Sequence, residues 1–308
     1  MNSGYLFALA TLLSWTVSTF VLAKLTRLED AAIINKAALF FSTLLLGLVV
    51  CIVDHLSLWE LFTLPNLSNW IWLGISGILG KSIGDYCSYK SLRILGARRR
   101  SMITTLSPGF AWLFGLIILS ETMNWLGIAA MLLTMISLLL LINSNAEKEE
   151  VRKENYGLPL PGFLFGIIAS ALTGLAFILS KKTFAETNTH ISEFHGTWIR
   201  IITAFVALLL FDIARNKNTR FITAFFDRQK AGLLFVSILF GAVLGLSFSL
   251  MAITRVNTAT AFTIFSLLPV SIIIVSVILY KKRLTLKSWL YSLLAITGVL
   301  ILIWRDRF

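Results

Sequence analysis

Apolar residues run along this chain in long blocks separated by short polar interruptions, and the block length is the first structural fact it offers. Crossing about 30 Å of hydrocarbon takes roughly 20 residues of helix. Ten blocks satisfy that requirement, at 5–23, 34–53, 70–92, 100–119, 125–142, 160–180, 193–211, 231–253, 259–279 and 287–304. The longest polar interruption, Asn143 to Pro161, carries Glu147, Lys148, Glu149, Glu150, Arg152, Lys153 and Glu154 and cannot enter lipid. It divides the chain five helices from five. The predicted fold is therefore an all-α integral membrane protein. Its parts are a first five-helix repeat over 1–143, a polar cytoplasmic linker over 144–159 and a second repeat over 160–308.

That the halves are copies of one unit is read from a row of small residues. Ser76, Gly80, Gly84 and Ser88 step by four through the third block, and an offset of 161 carries them onto Ser237, Gly241, Gly245 and Ser249. The same offset superposes Ile103 on Ile264, Leu106 on Leu267, Pro108 on Pro269, and Leu141 and Ile142 on Leu302 and Ile303. The first helices also resemble each other, Leu22, Ala23 and Lys24 matching Leu179, Ser180 and Lys181 at an offset of 157. Small residues four apart line one helix face, where they admit a neighbouring backbone to close contact, so the row is expected to pack helices. Pro108 and Pro269 interrupt matched helices and are candidate hinges, since the carbonyls they free can bend a helix or face a cavity.

Composition agrees with the block pattern: 57% of the 308 residues are hydrophobic and 14% charged, against about a quarter charged in soluble proteins. The net charge of +12 does not point to nucleic acid, because the basic residues sit in short loops, where they set orientation. Of 27 Lys and Arg, twenty fall in the loops after helices one, three, five, seven and nine. Five (Lys181, Lys182, Arg255, Arg305 and Arg307) fall on the opposite side, and two, Lys81 and Arg200, fall well inside blocks, away from either end. The excess places the first set in the cytoplasm and both termini outside a cell membrane. In the second repeat the bias is reversed, as an odd number of spans per unit requires. Inverted five-helix units suit a secondary transporter with its site near the midplane where the halves meet.

These residues resemble the drug/metabolite transporter superfamily in its ten-helix EamA-type branch. The likeness lies in the five-plus-five repeat and in a small-residue helix followed by Thr104, Thr105, Leu106, Ser107 and Pro108. It lies also in a glutamate, Glu121, that closes the fourth helix ahead of Gly127. Lys282 stands where the second repeat would carry the matching glutamate, and the resemblance implies cytoplasmic termini, contrary to the charge count. It further implies a transporter of small metabolites or drugs, often an exporter, with a cavity lined by both halves.

Charge inside the blocks is where chemistry is expected. Lys81 lies about 16 Å into its span, too deep for the ammonium to reach water along the lipid face. A lone charge there costs on the order of 3 kcal/mol, so it requires a partner or a wet cavity. Asp85, four residues on, is the candidate partner. Neither residue is repeated at offset 161, where Ala242 and Leu246 stand. The pair either fixes packing or opens to admit a substrate carboxylate or a proton. Arg200, about 9 Å from the end of its span, either reaches the interface or adds a positive charge that favours anionic or zwitterionic substrates such as an amino acid. Trp15 and Trp112 fall mid-span and, with Tyr89, are candidate cavity walls; the other tryptophans fall mostly near span ends, as interfacial belts do.

Soluble-enzyme signals are lacking. The stretch Gly80, Lys81, Ser82 has Ile75 where a phosphate loop needs glycine, and His55, His190 and His195 lack metal-site spacing. Cys51 and Cys87 lie within spans. No metal or cofactor is expected, and the partners implied are a small-molecule substrate, the lipid bilayer and a proton or exchanged solute. A lipid or lipid-linked sugar flippase of the same fold, and a polytopic enzyme acting on lipid, are the competing readings.

Overall fold

In the computed structural model, residues 3–142, 160–186, 191–214, 221–222, 225–280 and 285–304 are described, and these are helical with short connections. Nine helices among them are long and apolar enough to span a bilayer, beginning with Ser3–Thr26 and ending with Leu286–Trp304. The tenth predicted span, the third in order, is helical from Leu67 onward and differs from the others in carrying Lys81, Asp85 and Lys90. The architecture is all-α, with ten spans as two inverted five-helix repeats.

Each third span is built in two registers. Leu67–Gly77 passes into a π-helical stretch, Ile78–Gly84, before α-helix resumes at Asp85. In the second repeat, Arg228–Ile238 passes into π-helical Leu239–Leu246 before Ser247–Arg255. The two π stretches begin 161 residues apart, so the wide turn is a property of the repeated unit. Glycine permits it locally, because a Cβ on Gly84 or Gly245 would fall 3.0 or 2.7 Å from the carbonyl oxygen five residues back, that of Leu79 or Phe240.

The third and fourth spans are joined within the helical segment Asp85–Thr104. A straight helix would hold Ser91 and Ile103 about 18 Å apart. Both lie against Gly166, and the Arg100 guanidinium reaches back to the Ser88 hydroxyl at 2.8 Å, so the chain reverses between Leu95 and Arg100.

Matched breaks divide each fourth span ahead of its proline. The Leu106 N–H closes on the Ile103 carbonyl and the Thr105 hydroxyl on that of Met102; 161 residues later, Leu267 closes on Ile264 and Ser266 on Thr263. Pro108 and Pro269 then stand second in Ser107–Leu119 and Leu268–Tyr280, in the first helical turn, where a missing N–H costs little.

The repeats interlock. The third span packs on the sixth (Leu160–Glu186) and the eighth on the first (Ser3–Leu28), while the second (Ala31–Val53) faces the seventh (Glu193–Ala214) and the fifth (Trp125–Ile142) faces the tenth (Leu286–Trp304). The small-residue row makes the first two of these crossings. Ser76 donates to the Ala176 carbonyl and shares a 2.6 Å hydrogen bond with Ser180; its copy Ser237 accepts from Ser18 at its carbonyl, 3.2 Å away. A Cβ on Gly84 would meet Leu172, and one on Gly245 would meet Trp15, residues that differ by the 157 offset of the first helices.

Candidate functional site

A cavity of about 300 Å³ lies where the repeats cross. The first repeat contributes Trp15, Asn35, Lys81, Asp85 and Tyr89 to its wall, and the second contributes Phe177, Arg200 and Ser237. The π-helical stretches supply Gly80 and Lys81 on one side and Gly241 and Ala242 on the other. With the usual backbone step interrupted there, the wide turns sit midway along their spans, and such bulges often occur at functional sites.

Five of the six residues proposed from sequence meet in this cavity: Trp15, Lys81, Asp85, Tyr89 and Arg200. Trp112 lies elsewhere, packed with Ile128 and Met135 against Met123, Ala130 and Met131 in a separate apolar cluster. Depth alone placed both tryptophans mid-span. Rotation about the helix axis separates them.

Lys81 and Asp85 close on each other at 2.5 Å, with 20% and 23% of their side chains still exposed. The partner that the membrane requires of Lys81 is thus intrahelical. Arg200 does not run out to the interface. Its backbone carbonyl abuts Gly77, its guanidinium lies 4.6 Å over the ring of Phe177, and the residue is 1% exposed. Arginine suits this position because its planar fork stacks on the ring while leaving N–H groups at its edge. Two of its nitrogens, Nε and Nη1, are buried without a hydrogen-bond partner among the described residues. Nη2 lies near Gly80, 3.8 Å from where a Cβ would stand.

Among the described residues the cavity's wall extends toward the basic face. Leu22, Asn35, Ser88 and Tyr89 carry its wall to the ends of the first three spans that adjoin the basic loops. On the other side an aromatic layer closes it: Phe262 meets Phe177 edge-on at 5.4 Å and Phe265 at 5.6 Å, and Trp15 meets Phe265 at 5.1 Å. Beyond that layer Glu121 accepts from the Thr258 N–H at 2.9 Å and its hydroxyl at 3.1 Å, and pairs with Lys181 at 2.5 Å. Glu121 therefore supplements the Asn257 N-cap at the start of the ninth span, whose first helix is Thr258–Phe265, while tying it to the sixth. The matching position, Lys282, lies outside the described residues.

Sequence reasoning left several polar groups unassigned. Lys36 forms an ion pair with Asp212 between the second and seventh spans, and Glu29 pairs with Lys230 at 2.8 Å on the basic face. Arg100 was placed among loop charges, yet it is held by Ser88 of the cavity wall. A basic residue heading a predicted span, twelve positions after a serine of the small-residue row, was the available signal.

Two inverted bundles enclosing a charged cavity at mid-membrane define a multi-pass membrane transport protein. The sequence pattern of the EamA-like transporter family matches residues 2–143 and 160–304, one match per repeat, and the chain belongs to that family. A solved crystal structure, titled only as that of a protein, shares the fold at a TM-score of 0.72 with 13% identity, covering 100% of this chain and 99% of that one. No curated protein matches the sequence.

Proposed function

We propose that the protein carries a small anionic or zwitterionic metabolite, an amino acid being the simplest fit, across the cell membrane by alternating access between its inverted repeats. The carrying observation is Arg200: a guanidinium with two unpartnered buried nitrogens, facing a cavity that both repeats line. A buried guanidinium without a hydrogen-bonded counter-ion is costly, and a carboxylate answers its fork with two charge-assisted hydrogen bonds. Beside it, Lys81 and Asp85 neutralise each other until a guest separates them, offering Asp85 to an ammonium group. The cavity reaches the face that loop charge assigns to the cytoplasm, which is the loading geometry of an exporter. Energy would come from a proton or from exchange, and Asp85 is the acid placed to take part.

Reconstituted protein loaded with radiolabelled amino acids and small carboxylates tests this reading. Efflux of the best substrate falls at least tenfold in Arg200→Gln, and also in Asp85→Asn if the carried form is a zwitterion. Efflux unchanged in Arg200→Gln would overturn the assignment.

A further inference from the structure

Charge in and behind the cavity wall does not balance. Lys81 and Asp85 cancel, and Arg200 leaves one positive charge at mid-membrane. Arg100 adds another. Its Nη2 donates to Ser88 at 2.8 Å, and Ser88 lines the cavity, while Nε and Nη1 of Arg100 are buried without a partner among the described residues. Lys90 does not turn toward this site, lying over the rings of Tyr86 and Phe165 at 5.0 and 5.1 Å. The set Lys81, Asp85, Arg200 and Arg100 thus sums to two positive charges in a medium where each uncompensated one is costly.

One guanidinium, that of Arg200, lines the cavity, and the other, that of Arg100, stands behind Ser88 of its wall. Arg200 lies level with Gly80 and Arg100 level with Ser88, eight residues along one helix, which is roughly 12 Å. Eight residues is close to two helical turns, so both levels look out on nearly the same side. Lys81 and Asp85 fall between them. We infer that the cavity is built for an elongated dianion, whose acidic groups are taken by Arg200 at mid-membrane and by Arg100, with Ser88, at the end nearest the basic face. Arg100 is then a specificity-determining residue that the transport site borrows from the turn between the third and fourth spans. A guest with two carboxylates balances the set, whereas a monoanion leaves one guanidinium unpaired. This inference narrows the anion reading of Arg200 and rests on it.

Calorimetric titration of the purified full-length protein with adipate and with monomethyl adipate compares two guests of equal length and different charge. Adipate binds about tenfold more tightly, as one further charge-assisted contact supplies. In Arg100→Gln the two affinities converge on that of the monoester, which itself changes by no more than about twofold, while Arg200→Gln weakens both. Succinate, too short to bridge the two ends, loses the dianion advantage. Equal binding of adipate and its monoester by the unmutated protein overturns the inference whatever the variants do. So does an Arg100→Gln loss that falls equally on both guests. Monoester binding that still depends on Arg200 in those cases would leave the function proposed above standing; binding indifferent to Arg200 would remove both.

Discussion

Gly77 and Gly232 are both helical glycines of membrane spans, and the same methyl group added to each should have opposite effects. At Gly77 an ideal Cβ lies 2.8 Å from both the carbonyl carbon and the Cα of Arg200, and closer still to its carbonyl oxygen. Ordinary contact begins near 3.4 Å, so the third and seventh spans must part by at least 0.6 Å (3.4 minus 2.8), and the obstacle is backbone that cannot rotate away. Overpacking of that kind costs about 1–3 kcal/mol. At Gly232 nothing lies within 4 Å, and replacing glycine by alanine there gains up to about 1 kcal/mol of helix propensity. Gly77→Ala should therefore unfold earlier than the parent in a denaturant titration in detergent, and Gly232→Ala at or after it. Because the backbone that moves belongs to Arg200, Gly77→Ala should also weaken anion binding, which Gly232→Ala should not. Equal stability of the two variants would refute the close crossing of the third and seventh spans, and with it the placement of Arg200 in the cavity.

Two further outcomes follow from ion pairs outside the cavity. Glu121→Ala removes the acceptor for Thr258 beside the Asn257 cap and takes the counter-ion from Lys181, at about 3 kcal/mol; paired with Lys181→Met in a double-mutant cycle it should show about 1–3 kcal/mol of coupling, and additivity would deny the contact. Glu29 is held below its ordinary carboxyl value of 4.5 chiefly by the hydrogen bond from Lys230, against an opposing effect of partial burial. A depressed carboxyl stabilises the fold above its unfolded value and ceases to as pH falls through the folded one. The gap in unfolding temperature between the parent and Glu29→Gln should thus be present at neutral pH, worth less than about 1 kcal/mol for a partly exposed pair, and should close below pH 4.5. A gap that persists into acid would contradict the pairing.

What could be read from the sequence was whatever two copies are obliged to share. Close crossings need small residues, so Ser76, Gly80, Gly84 and Ser88 had to recur as Ser237, Gly241, Gly245 and Ser249, and they mark the crossings of the third span on the sixth and the eighth on the first. Lys81 and Asp85 were legible for the opposite reason: they break the copy, and charge at that depth needs an explanation. Which face a residue occupies was not legible, because it depends on how neighbours rotate each helix. Trp15 and Trp112 are indistinguishable by depth, and only the contact with Gly245 turns the first toward the cavity. Arg200 could have reached the interface until Gly77 fixed its backbone against the third span. The π-helical stretches left a faint trace in the glycines at 84 and 245, but a hydrogen-bond register is settled by packing, and glycine spacing alone is equally compatible with an α-helix.

The departures from symmetry also limit how the protein can close on its other side. If alternating access exchanges the roles of the repeats, the aromatic layer now sealing one face would need a counterpart near the other. Offset 161 carries Phe262 and Phe265 back to Ser101 and Thr104, and offset 157 carries Phe177 to Phe20. Trp15 has Leu172 as its copy, so three of the four rings are missing and a closure copied from the aromatic one cannot form there. What that face does hold is charge: Glu29 with Lys230, Lys36 with Asp212, and Asp30 with Arg93 at 2.9 Å, each joining spans or loops that flank the cavity's open end. Of these, Lys36 and Asp212 are the most enclosed and join the second span to the seventh, the two that face each other across the repeat boundary. A carrier with an apolar seal on one side and an ionic one on the other would respond differently to salt at its two faces, because screening weakens exposed ion pairs and leaves ring packing nearly untouched. In such a carrier the duplicated scaffold would supply the motion, and the unduplicated residues would decide what each side uses to hold it shut.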